Sequence, residues 1–152
     1  MSWVDAYRRE GRLDGHCLRG AVQIVVDGGH IAAVGVCHCA MCQRWNGTVY
    51  GSFQVSPDAL TVSGDIARYA SSDFAERAFC PKCGSHLWYR EIRDGDGYEL
   101  FPGLFPAAKD FPLISEIYCD RAPAYAPFAG DHRTKTRAEY EADNPFVEGD
   151  DP

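Results

Sequence analysis

The arrangement of seven cysteines constrains this chain of 152 residues more than any other feature. The segment CHCAMC at 37–42 contains three of them, and CPKCG at 80–84 contains two more. A domain of this size builds an ordinary core without disulfides, and an odd number of cysteines excludes complete pairing. Residues 1–12 lack the apolar stretch of a secretory signal, so we expect a reducing, cytoplasmic compartment. Grouped cysteines there bind metal or perform thiol chemistry.

The charge balance narrows the range of partners. Lys and Arg number 15 against 22 Asp and Glu, which gives a formal net charge of −7. Nucleic acid is therefore not an expected partner, because phosphate contacts need clustered cations. No segment approaches the 18 apolar residues of a membrane span, so a membrane is not expected either. The sequence says nothing about the oligomeric state.

Short apolar or alternating segments, separated by turn residues, predict a mostly β fold of several short strands. Residues 27–29 (Asp-Gly-Gly) are predicted as one of these turns. A single short helix is predicted at 134–142, where the following Asn-Pro would stop it. The predicted strands cover residues 21–26, 31–36, 48–55, 66–69, 75–79, 85–90, 98–101 and 114–119.

The two cysteine groups have the spacing of zinc ligands. A C-x-x-C loop directs two thiolates at one tetrahedral centre, and a following Gly lets the backbone turn around the sulfurs. Cys37, Cys39 and Cys42 supply three ligands from one loop, which is what a catalytic zinc with an open fourth position requires. A thioredoxin-like redox pair at Cys80 and Cys83 is the rival interpretation, but the βαβ context of that motif is missing.

Arg44, together with Gln43, and Trp45 follow the first group and are candidates for a role at the site, whereas His38 lies within the group. Arg44 is suited to binding a substrate carboxylate in a bidentate manner, although it can equally be a solvated side chain covering its own turn. Trp45 follows the group closely and is predicted to line a pocket beside the metal. The ring of His38 is expected to point away from the metal, because neighbouring positions of an extended loop face opposite ways.

Other reactive side chains are given simpler interpretations. Cys119 ends an apolar strand without a nearby cysteine, and we expect it to be a small buried side chain. Glu116 and Tyr118 alternate on that strand and either reach the site or face water. His30 and His132 are predicted to be surface residues.

The order of three motifs is similar to that of a known family. They are GHCLRGAV at 15–22, CHCAMCQR at 37–44 followed by Gly47, and RAFCPKCGS at 77–85. Together they resemble the glutathione-dependent formaldehyde-activating enzyme family, also called GFA or centromere-protein-V-like. The resemblance covers residues 11–130, which leaves 1–10 as an N-terminal extension and 131–152 as a C-terminal extension with a short helix and an acidic tail.

The resemblance implies an Mss4-like, zinc-binding β fold of short antiparallel strands with two zinc sites. It also implies a carbon–sulfur lyase that adds an aldehyde to a small thiol such as glutathione, or removes it. The catalytic zinc maps onto Cys37, Cys39 and Cys42, and the structural zinc maps onto Cys17, Cys80 and Cys83.

Arg19 departs from the family pattern, because it stands where the family has the fourth cysteine of the structural site. A guanidinium offers only donors and cannot ligate zinc. The fourth position is then filled by water, by His16 or by His86, or the site is empty and its thiols are reduced. In the last case, Arg19 could stabilise uncoordinated thiolates by its charge.

Two other function classes remain open from the sequence. One is a non-enzymatic binding module of the same fold in which both metals are structural. The other is a thiol-redox or metal-sensing protein. A fourth protein ligand at Cys37, Cys39 and Cys42 would favour the binding module, and ready loss of metal on mild oxidation would favour the sensor.

Overall fold

A computed structural model of the chain describes residues 2–93 and 97–147. These residues form eleven strands and two α-helices, with short 3₁₀ turns between them, which confirms the mostly β prediction. In chain order the elements are β1 (Arg8–His16), β2 (Gln23–Ile31), β3 (Val34–Cys37), α1 (Ala40–Asn46), β4 (Tyr50–Val55), β5 (Leu60–Ser63), β6 (Ala67–Ser72), β7 (Ala75–Phe79), β8 (His86–Glu91), β9 (Tyr98–Leu100), β10 (Leu113–Ile117), β11 (Arg133–Lys135) and α2 (Arg137–Asp143).

The chain divides into two compact units. The first contains the residues up to Ala33 together with Ser52–Phe111. The second contains Val34–Gly51 together with the residues from Pro112 onward. Each unit carries one of the two cysteine groups, so each group can be described within its own unit.

Antiparallel pairing builds the first unit. Strand β2 pairs with β1 along its whole length, from Arg8 opposite Ile31 to His16 opposite Gln23, and also pairs with β5. A second antiparallel series is formed by β6, β7, β8 and β9. Its last strand, β9, pairs with the final residues of β4. The single pair of His30 and Val55 joins β2 to β4.

The core of the first unit is aromatic and aliphatic. Phe53 and Phe105 pack edge to face with their ring centroids 5.4 Å apart, and both are almost fully buried. Gly15 makes room for this pair, because a Cβ at that position would lie 2.6 Å from the Phe105 ring. Cys17 and Cys80 belong to the same buried cluster. Two of the predicted metal ligands are thus part of the hydrophobic core.

The second unit is built around β10, which pairs in parallel with β3 on one side and β11 on the other. Helix α1 follows β3 after two residues, and α2 follows β11 after one. Thr136 caps α2, because its hydroxyl accepts the Glu139 N–H at 3.2 Å while the Glu139 carboxylate accepts the Thr136 N–H at 2.7 Å. The helix predicted at 134–142 is thus present, although it begins three residues later and ends one residue later.

Several local predictions were wrong. Residues 27–29 lie inside β2 instead of forming a turn, and β1, β5, β11 and α1 were not predicted. His30 is buried, and its ring stacks on Phe111 at 6.4 Å. The predicted acidic tail, 148–152, lies outside the described residues. None of the helices in the described ranges is long and apolar enough to cross a membrane.

Two candidate metal centres

The first thiol triad, Cys37, Cys39 and Cys42, lies where β3 ends and α1 begins. The three sulfur atoms are within 4.8 Å of one another. Cys39 caps the helix, and its sulfur accepts the Cys42 N–H at 3.3 Å. Thiolates on one tetrahedral zinc are about 3.8 Å apart, given a zinc–sulfur bond of about 2.3 Å. The spacing and chemistry of these donors therefore fit a zinc ion.

The thiols of the first triad disfavour one another's ionisation. Hydrogen bonds with the thiols of Cys39 and Cys42, together with burial, raise the pKa of Cys37 well above its ordinary value. Three sulfurs in one small space cannot all carry negative charge without a compensating cation. A divalent metal supplies that compensation, which is a second reason for regarding the triad as a metal site.

The loop that carries the first triad is held by its polar neighbours. The Gln43 side-chain amide donates to the backbone oxygens of His38, at 2.7 Å, and of Arg121, at 3.0 Å. The backbone N–H of His38 donates to the carbonyl oxygen of Ile117 at 3.0 Å. These bonds fix the loop to the end of β10 and to the turn after it.

Tyr118 follows β10 in an unusual backbone conformation. Its φ is +56°, the only positive value for a residue other than glycine in the described ranges. The side chain is buried, and the hydroxyl donates to Glu141 on α2 at 3.1 Å. Burial, the Glu141 carboxylate and the nearby thiols of Cys39 and Cys37 raise the pKa of Tyr118. A strained, buried tyrosine beside a thiol triad is a typical feature of a functional site.

Glu116 joins two histidines. His38 Nε2 lies 2.7 Å from Glu116 Oε1, and the other carboxylate oxygen is hydrogen-bonded to His132 Nε2. Burial raises the pKa of the Glu116 carboxyl, but the hydrogen bonds from His132 and His38 outweigh it, so the pKa lies below its ordinary value. His38 is fully buried, and the prediction that His132 is a surface residue was wrong, since its side chain is only 6% exposed.

The second triad, Cys17, Cys80 and Cys83, lies between two facing loops of the first unit. Its sulfur atoms are also within 4.8 Å of one another. In one loop the Val22 N–H donates to Cys17 Sγ at 3.2 Å, and in the other the Cys80 N–H donates to the Ser85 carbonyl at 2.9 Å. The spacing again fits zinc with thiolate ligands.

Glycines allow both loops of the second triad to turn. Gly20 has a φ of +82° and Gly84 a φ of +77°, values that only glycine adopts readily. The turn at Gly20 is closed by its N–H, which donates to the Cys17 carbonyl at 2.9 Å. The turn at Gly84 is closed in the same way onto the Cys80 carbonyl at 2.8 Å.

The Cys83 thiol of the second triad has a lowered pKa. Ser85 Oγ lies 3.3 Å from Cys83 Sγ and accepts the Leu18 N–H at 3.0 Å. The Ser85 hydroxyl, followed by the backbone N–H groups of Ser85 and Arg19, lowers the pKa of Cys83 to about 6. Donors aimed at a sulfur stabilise its thiolate form, which is the form that binds metal.

Neither triad gains a fourth protein ligand within the described residues. No His, Asp, Glu or further Cys from these ranges joins either group. His16 instead directs Nδ1 at the Cys17 carbonyl, 2.7 Å away, and His86 packs beside the Phe101 ring. Arg19 is exposed on the turn that follows Cys17.

The remaining predicted site residues lie on or beside these elements. Arg44 is exposed in the last turn of α1, and Trp45 is partly buried next to it. Cys119, partly buried, directly follows Tyr118. The sequence interpretation missed Gln43 as a support of the ligand loop and Glu116 as a bridge. The alternation of Glu116 and Tyr118 was the available signal, but it did not reveal their partners.

Comparison with known proteins agrees with this geometry. The sequence profile of the glutathione-dependent formaldehyde-activating enzyme family matches residues 12–121, a stretch that contains both triads. The chain belongs to this family, which confirms the resemblance noted in the sequence.

Two individual proteins are similar to the chain. An uncharacterized lyase of Schizosaccharomyces pombe is 25% identical over 119 residues, which cover 76% of this chain and 85% of the yeast protein. The crystal structure of a Rhodobacter sphaeroides protein superimposes with a TM-score of 0.53 at 20% identity, covering 66% of this chain and 99% of that one. The second likeness supports the fold alone.

Proposed function

We propose that the chain is a zinc-dependent carbon–sulfur lyase that forms or breaks adducts between a small aldehyde and a glutathione-like thiol. The observation that carries this proposal is the setting of the first triad, which gathers three thiols without a fourth protein ligand in the described ranges and, unlike the second triad, lies at a strand–helix junction next to Tyr118. Catalytic zinc sites have this composition, because the fourth position is needed for substrate. Membership of the family and the name of the yeast lyase support the same class of reaction.

The proposed reaction joins the thiol sulfur to the carbonyl carbon and moves the thiol proton to the carbonyl oxygen. The reverse reaction breaks that carbon–sulfur bond and returns the proton to sulfur. Both directions are accelerated when thiol and aldehyde are held together, since the encounter then becomes effectively intramolecular.

Cys37, Cys39 and Cys42 are the residues that would hold the catalytic zinc. The ion supplies Lewis acidity and lowers the pKa of a thiol that binds it. The three thiolates of the chain leave one position free and give the centre a net charge of −1. Gln43 keeps their loop in place through its two carbonyl contacts, and Tyr118 forms a rigid, buried neighbour.

Cys17, Cys80 and Cys83 would hold a second, structural zinc. The burial of Cys17 and Cys80 in the core of the first unit supports a stabilising role, because a metal there fastens two loops to the core. Arg19 leaves this site without its fourth thiolate, and the exposed turn at that position favours a solvent molecule as the fourth ligand.

Arg44 and Trp45 are proposed as substrate contacts. An exposed guanidinium in the last turn of α1 is suited to one of the carboxylates of a glutathione-like thiol. Arg44→Gln then raises the KM for the thiol by about tenfold, the usual cost of about 1.4 kcal/mol for a charge-assisted contact, and leaves the zinc content unchanged. The matched control is Lys109→Gln, which removes an exposed cation from the first unit. An unchanged KM in Arg44→Gln would remove Arg44 from the site.

One combined experiment tests the proposed function. Zinc is quantified per chain and located by anomalous scattering, and the rate of exchange between free formaldehyde and its glutathione adduct is measured by NMR with and without the protein. We expect two zinc ions per chain and faster exchange. A protein side chain that closes the first triad, together with an unchanged exchange rate, would favour the non-enzymatic binding module instead.

A further inference from the structure

A buried carboxylate in the second unit bridges two histidines next to the first thiol triad. Glu116 Oε1 is 2.7 Å from His38 Nε2, and Glu116 Oε2 is hydrogen-bonded to His132 Nε2. The side chains are 0% exposed for His38, 11% for Glu116 and 6% for His132. Hydrogen bonds that are shielded from water in this way determine side-chain position more strongly than surface contacts do.

The chemistry of the bridge fixes the direction of each hydrogen bond. An ionised carboxylate only accepts, so both imidazoles donate from Nε2. His38 Nδ1 is buried and has no hydrogen-bond partner among the described residues. Glu116 is therefore the one polar anchor of the His38 ring among the described residues, and its removal leaves the orientation of that ring to packing alone.

The backbone of the ligand loop is attached to the same strand as the bridge. Cys37 is paired with Ile117 across β3 and β10, and the His38 N–H donates to the Ile117 carbonyl at 3.0 Å. Glu116 is the preceding residue of β10. Both the ring and the backbone of His38 are thus held by consecutive residues of one strand, and His38 lies between the ligands Cys37 and Cys39.

The second histidine connects the bridge to another segment. His132 lies at the end of the loop 122–132, and this loop places the Phe128 ring 6.2 Å from the His38 ring. Phe128 is 40% exposed, so it covers His38 on one side while keeping a surface of its own. The single carboxylate of Glu116 thereby fixes both the ligand loop and the segment packed against it.

We propose that Glu116 is a positioning residue of the first metal centre, acting through His38 to hold Cys37 and Cys39 in the geometry that binds zinc. This inference rests on the proposed function, because it requires a metal at the first triad. Residues that orient the ligands of a metal typically change its affinity by 10- to 100-fold when they are replaced.

The test compares two replacements of Glu116 in the full chain. Glu116→Gln keeps both contacts, since its amide oxygen accepts from His38 and its amide nitrogen donates to the His132 ring. Glu116→Met keeps the side-chain volume and loses both contacts. Competition with a chromophoric zinc chelator should show affinity at the first triad about 10- to 100-fold weaker in Glu116→Met and near wild type in Glu116→Gln. Asp143→Asn, which removes an exposed ion pair with Lys135 in the same unit, should change nothing.

Cobalt substitution reports the geometry of the thiolate ligands, which would not change if Glu116 only stabilised the fold. The visible absorption bands of a tetrahedral three-thiolate cobalt site should broaden in Glu116→Met and stay unchanged in Glu116→Gln. If Glu116→Met does not fold, His38→Phe removes the same hydrogen bond from the other side and should weaken zinc binding to the same degree. Where both single variants fold, the double variant Glu116→Met/His38→Phe should lose no more affinity than the larger single loss, because both changes break one connection.

The outcomes distinguish failure of the positioning role of Glu116 from failure of the proposed function. Wild-type zinc affinity in a folded Glu116→Met or His38→Phe variant would overturn the positioning role while leaving the proposed function intact. Additive losses in the double variant would show that Glu116 acts by a route other than His38, and this too would overturn the inference. A wild-type chain that binds no metal at the first triad would overturn the proposed function and the positioning role together.

Discussion

The two triads offer the same three sulfur ligands in opposite surroundings. Cys17 and Cys80 are fully buried in the apolar core of the first unit. The triad at 37–42 lies at a strand–helix junction beside polar buried groups, including Glu116 and Tyr118. Because both groups have three thiols, the number of ligands alone does not tell a catalytic zinc site from a structural one. The difference in surroundings supports the two roles proposed for them, structural for the triad in the core and catalytic for the triad at the junction.

One thiol of each triad, Cys83 and Cys37, also differs from the other in the direction of its pKa shift. Backbone and hydroxyl donors lower the pKa of Cys83 to about 6, whereas mutual contact between the thiols and burial raise the pKa of Cys37 well above its ordinary value. In the second triad the protein itself thus favours the anionic form of Cys83, although burial raises the pKa of its neighbour Cys80. The first triad depends on a bound cation for that stabilisation.

Removing a ligand from the first triad should have the largest effect on activity. In Cys39→Ser we expect one zinc ion to be lost and the exchange of formaldehyde with its glutathione adduct to slow by more than about 100-fold. Loss of a direct ligand should exceed the 10- to 100-fold cost of losing an outer partner. The melting temperature should change little, because Cys39 is only partly buried. Global unfolding of this variant would show that the first zinc is structural and that the contrast between the triads is false.

Removing a ligand from the second triad should instead reduce stability. Cys80→Ser places a hydroxyl in the apolar core and removes a metal ligand, so we expect a loss of about 2–5 kcal/mol in the free energy of unfolding. For a chain of this length this corresponds to a melting temperature lower by about 10 °C. Activity per folded molecule should be kept. An unchanged melting temperature would indicate that no metal is bound there.

Thiol acidity can be compared directly in protein stripped of metal by a chelator. Alkylation of Cys83 by iodoacetamide should have a midpoint near pH 6 and level off above pH 7, because its thiolate is then fully formed. Alkylation of Cys37 should still be increasing at pH 9, since its pKa is raised. At pH 7 we expect Cys83 to react about tenfold faster, as quantified by mass spectrometry. Equal rates at the two positions would contradict the proposed difference in acidity.

Much of the site could be predicted from the sequence because local spacing determines it. The spacing within 37–42 and within 80–83 grouped five of the thiols, and the glycine at 84 indicated the turn, whereas Cys17 joined the second group only through the family resemblance. The mostly β fold followed from short apolar segments in the same way. Strand β1 was missed because its first residues are polar and exposed, and residues 27–29 were taken as a turn although they continue β2.

The bridge around the first triad could not be found by such local reasoning. Glu116 is 78 positions from His38 and 16 from His132, and the pairing of β10 with β3 on one side and with β11 on the other brings the two histidines to one carboxylate. The position of His132 in an apparent turn favoured a surface location, because histidine in a turn is commonly exposed. Burial that arises from strand order alone leaves no signal in the local sequence.

The smallest expected effect comes from restoring the missing ligand of the second triad. Arg19 lies two positions after Cys17, and its backbone N–H helps to lower the pKa of Cys83, so residue 19 is adjacent to the thiols. Arg19→Cys should add a fourth thiolate and slow zinc release to a chelator by about fivefold, which corresponds to about 1 kcal/mol of added stability. The cobalt-substituted protein should gain the absorption of a four-thiolate site.

Arg19→Ser is the matched control, because it removes the guanidinium without adding a metal ligand. It should leave zinc release and the melting temperature at wild-type values. Equal stabilisation by both replacements would assign the effect to loss of the arginine charge. Zinc release as fast as in the wild type from a folded Arg19→Cys variant would show that the fourth position does not face residue 19.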